Sequence, residues 1–199
     1  MTSFNYIPDP EIVGFASRLD NALQSLAETA SPAEMASLVE FVSGRYLLSC
    51  FQDINALEGS IWIVDELGKN LVPIYNSGIH SDNFVLKFKQ PIYQGIISMV
   101  FATEMPFLEK DIENNRKHDD SLDKMLKLKT ESMAIVPLFY AGAIRGVISA
   151  INFSPDSVQP EKSKNDYEHH ILNTLQSSSA VIGKLIDSEM REICLGKRE

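Results

Sequence analysis

The amino-acid sequence predicts a single α/β (α+β) domain with long helices at both ends, and three observations carry that reading. Apolar residues recur at helical spacing near the start of the chain and again near its end. Between these stretches lie short runs rich in β-branched and aromatic residues, separated by turn formers. At 199 residues, 44% of them hydrophobic, the chain can bury one substantial core and is cramped for two.

Ile12, Phe15, Leu19, Leu23 and Leu26 recur every three or four residues and predict a first amphipathic helix from Pro10 to about Ala30. Ser31-Pro32-Ala33-Glu34 then supplies a capping hydroxyl, a Pro at the first helical position and a Glu that reaches back to the cap. A second helix therefore starts there, with Met35, Leu38, Val39, Val42 and Tyr46 expected inward and an end near Cys50. Residues 60–65 (SIWIVD) and 70–76 (NLVPIYN) flank Glu66-Leu67-Gly68-Lys69 and predict a hairpin, with Pro73 drawing its second strand toward an edge. The alternation of Phe84, Leu86 and Phe88 with Val85, Lys87 and Lys89 predicts a third, half-buried strand, and Gly95 opens a short helix over 96–103.

After Pro106 the pattern dissolves into a charged excursion, in which Leu122, Met125 and Leu126 mark a short helix. Residues 132–140 (SMAIVPLFY) and 143–153 (AIRGVISAINF) are the most apolar strands and are expected centrally in the sheet, joined by a turn at Ala141-Gly142. A polar linker follows over 155–163. From Asn165 a long helix carries Leu172, Leu175, Ser179, Ile182, Ile186 and Ile193 at near-heptad spacing. That stripe suits either a coiled-coil seam between two copies or a helix packed on its own sheet.

Charge and motifs narrow the chemistry. The formal net charge is −9 and no basic stripe is present, which argues against nucleic acid as a partner. No leader pattern or membrane-length apolar run occurs, and Cys50 and Cys194 stand far apart, so a cytoplasmic protein without a membrane anchor is expected. No hydrolase elbow, phosphate loop, dinucleotide fingerprint or zinc-protease pair is found, and no metal site is expected. His118 beside Asp119 and Asp120 would make a general base or metal ligand only if the excursion folded over a pocket. Trp62 faces either core or ligand, with core packing the plainer role. The helix start at Gly95 offers unpaired backbone donors to a small anion.

The run Gly95-Ile96-Ile97-x-x-Val100-Phe101, then Pro106, Asp111, Ser132-Met133-Ala134-Ile135-Val136-Pro137-Leu138, and finally Gly142-x-Ile144-x-Gly146-Val147-Ile148-x-x-x-Asn152 resembles the GAF domain family in order and spacing. The resemblance covers roughly residues 35–187 and implies an antiparallel six-stranded sheet with helices on both faces. It divides the chain into an N-terminal helix (1–31), a GAF-like domain (32–187) and the end of the last helix with a tail (188–199). By its nucleotide-binding members it points to Tyr75, Asn76, Ile96, Ile97, Thr130 and Ser149 as ligand contacts, with Phe101, Asp111 and Ser132 alongside them.

The family's Asn-Lys…Phe…Asp-Glu nucleotide signature is broken, since Phe153 follows Asn152 where that signature has Lys. Bilin-binding members carry a Cys in or near the excursion and methionine-sulfoxide reductases carry cysteines around the pocket; neither pattern is present. The resulting expectation is a non-catalytic sensory module that binds a small metabolite, nucleotide or anion non-covalently, with no cofactor. It would pair with itself through its terminal helices and signal to a partner protein. A scaffold whose pocket is filled by Ile97, Phe101 and Met133, or an enzyme using His118 and Asp111, are the competing expectations.

Overall fold

Local sequence signals set the helical ends of the computed structural model, which describes residues 9–127, 129–152 and 164–197. Helix α1 (Pro10–Thr29) starts where the Asp9 carboxylate accepts the Glu11 N–H at 2.8 Å. Helix α2 (Pro32–Asp53) carries the full capping box: Ser31 Oγ accepts the Glu34 N–H, and Glu34 Oε2 accepts the Ser31 N–H at 2.8 Å. Its buried row is Met35, Val39, Ser43, Leu47, Cys50 and Phe51. Tyr46, expected inward, is 40% exposed at the rim and hydrogen-bonds Ser178 Oγ, because the sheet lies against the i, i+4 ridge containing Leu47.

Six strands form one antiparallel sheet: β1 (Glu58–Val64), β2 (Asn70–Asn76), β3 (Gln90–Pro91), β4 (Phe107–Glu109), β5 (Met133–Tyr140) and β6 (Ala143–Ile151). Their order is β3-β2-β1-β6-β5-β4, so the two apolar runs late in the sequence do lie inside the sheet. Pro73 sits beside an irregularity at Ile61/Trp62, on a strand whose outer neighbour is only two residues long. Strand β4 was not foreseen; three residues in a charged stretch carry too little pattern.

The expected strand at 84–88 is absent. Ser81–Phe84 forms a helical turn (α3), and the chain then reverses at Leu86, whose φ is +61°. The Phe88 N–H donates to the Phe84 carbonyl, which brings both rings beside Trp62 at centroid distances of 6.2 and 6.1 Å. Phe84 and Phe88 stand four apart, a spacing that serves one side of a helical turn as well as one face of a strand. Further along come α4 (Gly95–Thr103), a 3-10 turn at Ile112–Asn114, α5 (Ser121–Leu126) and α6 (Lys164–Cys194). The linker read at 155–163 lies outside the described residues.

The sheet is apolar on both faces. Ile61, Ile63, Ala134, Val136, Leu138, Ile148 and Ala150 meet α1, α2 and α6 on one side. Trp62, Leu71, Met133, Ile135 and Val147 meet α4 and the excursion on the other. Helix α6 lies very close to β5: a Cβ on Gly183 would fall 2.1 Å from the Phe139 carbonyl oxygen, and Ser179 Oγ donates to the Pro137 carbonyl at 2.7 Å. The stripe on α6 is thus a helix packed on its own sheet. Ile171, Leu175, Ile182 and Ile186 are fully buried in the chain's own core and form no seam open to a second copy. Leu23 of α1 and Met190 near the end of α6 share that core, so the segments 1–31 and 188–199 both contribute to it. No described helix is long and apolar enough to cross a membrane.

Ile182→Glu places an unpaired carboxylate in this core and should unfold the chain rather than merely separate copies. The expected cost is about 4 kcal/mol or more, read as a shift in the urea midpoint with loss of near-UV circular dichroism.

Candidate functional site

Alternation along β1 aims Glu58, Ser60 and Trp62 at the excursion side of the sheet. Across the ladders, Asn76 stands opposite Ser60 on β2 and Ser149 stands opposite it on β6. Helix α4 and the excursion fold over this polar strip and enclose a cavity with about 60 Å³ of free volume. Trp62, Phe84, Ile96, Ile97 and Met133 supply its apolar wall, and His118, Asp119, Asp123 and Thr130 supply its polar roof. A single water needs at least about 10–15 Å³ by this kind of measure, so the closed cavity suits a ligand of a few heavy atoms. A nucleotide would require the roof to open.

Hydrogen bonds staple the roof in place. Asp123 accepts both the Thr130 N–H and the Thr130 hydroxyl at 2.8 Å, and His118 Nε2 lies 3.5 Å from the same carboxylate. Asp119 accepts the Gln90 side-chain amide at 2.9 Å and the N–H and hydroxyl of Ser121. Burial pushes the Asp123 carboxyl up, but the bonds from His118 and Thr130 outweigh it and hold the group below the usual carboxylate range. At Asp119 burial likewise raises and the bonds from Ser121 and Gln90 lower, with the same net direction. On the floor, Trp62 Nε1 donates to Ser149 Oγ at 3.1 Å, and Asn76 Nδ2 donates to Ser60 Oγ at 2.9 Å.

Of the ligand contacts expected from the sequence, Asn76, Ile96, Ile97, Thr130 and Ser149 line the cavity. Tyr75 does not. Neighbouring strand residues point to opposite faces, so with Asn76 in the cavity Tyr75 packs toward α2, its hydroxyl 3.4 Å from the Gly44 carbonyl. Ser132, just ahead of β5, is not among the cavity's lining residues; its N–H faces the Asn152 side-chain oxygen at 3.4 Å. Phe101 packs into the excursion-side core beyond the cavity wall. Asp111 is exposed in an outer groove with Glu109, Asn114 and Arg116, so it is not joined to His118 as an acid–base pair.

Sequence reasoning did not place Glu58, Ser60, Gln90 or Asp123 in the site, although Trp62, and His118 with Asp119 beside it, had been singled out as candidates. Parity along β1 was the available signal for Glu58 and Ser60, since either matches Trp62. The anion position expected at the Gly95 helix start has the chain's own Asp119 beside it. Neither cysteine lines the cavity: Cys50 is buried on the helix side of the sheet and Cys194 ends α6. Among the described residues, no three His, Cys, Asp or Glu are grouped to hold a metal ion.

A curled six-stranded antiparallel sheet with helices on both faces and a cavity under the α4 side is a GAF-like fold. Solved structures agree. The nlh2 GAF domain of A. Aeolicus in an inactive state matches with a TM-score of 0.59 and 15% identity over 87% of this chain and 96% of that one. The GAF domain of an Acinetobacter phosphoenolpyruvate-protein phosphotransferase gives 0.54 and 14% over 92% and 98%. A type II free methionine-R-sulfoxide reductase from Thermoplasma acidophilum gives 0.52 and 18% over 76% and 96%. No protein-family model and no curated protein matches the sequence.

Because the folded Asp123 carboxyl titrates below its unfolded value, it stabilises the roof above the unfolded value of about 4 and loses that effect as pH falls through the folded one. Asp123→Asn should therefore lower the unfolding midpoint at pH 7, and the gap from the parent should narrow at pH 3. Chemical denaturation at the two pH values checks both.

Proposed function

We propose that this chain is a non-catalytic sensory module of the cytoplasm, in which a small metabolite occupies the cavity and the ordering of its roof is passed to the terminal helices. The observation that carries this reading is the construction of the roof. It is tied to the sheet by the Gln90–Asp119 bond and braced within itself by the Thr130–Asp123 bond, both at the cavity's edge, where a ligand would tighten or loosen them. The strands offer a route to the helices. At the far end of β5 and β6, the Ala141 N–H donates to Asp187 of α6 at 2.6 Å, and Arg145 reaches Glu28 of α1 at 3.4 Å.

The neighbouring folds named above include two GAF domains, one of them from a phosphotransferase, and a reductase. The position of both cysteines away from the cavity supports the regulatory comparison over the enzymatic one. A scaffold with a closed pocket is the second reading, favoured by the small free volume and by Ile97 and Met133 on its wall. Output would pass through a partner protein or through a homodimer. The exposed Ile12, Val13 and Phe15 at the start of α1, rather than the stripe on α6, are the apolar residues suited to pairing.

Thermal unfolding against a panel of small metabolites, cyclic nucleotides and anions should show a raised midpoint for one class, since a ligand bound only by the native state stabilises it. A flat panel would favour the scaffold. Sedimentation at tens of micromolar should give a dimer, and the double variant Ile12→Glu with Phe15→Glu should give a monomer with an unchanged circular dichroism spectrum.

A further inference from the structure

One acid of the cavity has fewer donors around it than the other two among the described residues. Glu58 opens β1 and is only 6% exposed, yet among the described residues no Lys, Arg or His pairs with it. Among the described residues its carboxylate accepts one hydrogen bond, from Asn76 Nδ2 at 3.3 Å, and that nitrogen makes its shorter bond to Ser60. Asn76 Oδ1 is occupied by the Gly78 N–H at 2.7 Å. The carboxylate is held inward by the loop after β2: a Cβ on Gly78 would lie 2.0 Å from Glu58 Cδ, so only glycine lets it lie there.

A carboxylate taken from water without a cation or a full set of donors is costly, and the other acids of the cavity avoid that cost. Asp119 and Asp123 spend their oxygens on Ser121, Gln90, Thr130 and His118. Glu58 does not, and among the described residues no Lys or Arg lines the cavity to balance the three acids. Further along the same face of β1 lies Trp62, with Ile96 and Met133 on the wall nearby.

Resting on the sensory reading, we propose that the ligand is a small primary amine with a short apolar tail. Its ammonium takes the open side of the Glu58 carboxylate and its tail lies along Trp62 and Ile96. The hydroxyls of Ser60 and Thr130 line the same cavity and supply acceptors for the remaining ammonium hydrogens. A carboxylate or phosphate ligand would meet three acids with only His118 to offset them. A metal ion lacks the grouped ligands it needs.

Titration calorimetry and thermal unfolding with n-butylammonium chloride, sodium butyrate, butanol and matched potassium and calcium chloride test this. Butylammonium should bind and raise the midpoint, while butyrate, butanol and the salts at equal concentration should not. Glu58→Gln keeps the shape and removes the charge, so it should weaken butylammonium binding about a hundredfold while the fold persists by circular dichroism. Gly78→Ala, which displaces the carboxylate, should weaken it too. Equal binding of butyrate or butanol, an equal shift from either salt, or undiminished binding to Glu58→Gln would overturn the proposal. Should Glu58→Gln fail to fold, the contrast between butylammonium and butyrate on the parent chain still decides. A metabolite without a cationic group that binds parent and Glu58→Gln alike would sink the amine and leave the sensor standing. If neither the metabolite panel nor butylammonium moves the midpoint, both readings fall.

Discussion

The whole structure depends on one sheet having to bury both of its faces. Side chains alternate strictly along β1, β5 and β6, and both sets are apolar over most of their length. Neither face can be left to water. One is covered by α1, α2 and α6, whose long apolar ridges suit a broad flat surface. The other is covered by α4 and a charged excursion that has too few apolar residues to seal it completely. The cavity is where that second cover runs short.

That asymmetry explains the chemistry of the site. On the helix side contact is intimate enough that Gly183 lies against a β5 carbonyl and Ser179 bonds another. On the excursion side, polar residues replace packing. Ser60, Asn76 and Ser149 continue the strand alternation without apolar side chains, and they are bonded among themselves and to Trp62 rather than to the roof. The roof is held instead by carboxylates that accept several donors each, bonds strong enough to hold the segment and few enough to be disturbed by something bound beneath it. Glu58 stands apart because it shares the floor's position but carries a charge that the floor does not satisfy.

Sheet parity also decides which candidates belong together. Tyr75 and Asn76 are neighbours in sequence that a strand must send to opposite faces, so the pair could contribute only one member to the cavity. Asp111 fails for another reason: the 3-10 turn after it buries Ile112 and leaves Asp111 outside. Helix geometry does the same for α6, where residues at near-heptad spacing serve a flat sheet as readily as a second helix, because both surfaces ask for one apolar stripe.

The sequence by itself determined the helix cap at Ser31, the hairpin around Gly68, the central pair of apolar strands, and through the Gly95 and Gly142 regions the GAF-like order of elements. These are local signals, written in the spacing of a few adjacent residues. Only the tertiary structure decided that Phe84 and Phe88 meet beside Trp62 across a short helical turn and a chain reversal, that α6 packs on β5, and that Glu58, His118, Asp119 and Asp123 meet over one cavity. Those outcomes depend on residues far apart in the chain arriving at the same place, and the periodicity of a single segment does not encode what stands opposite it.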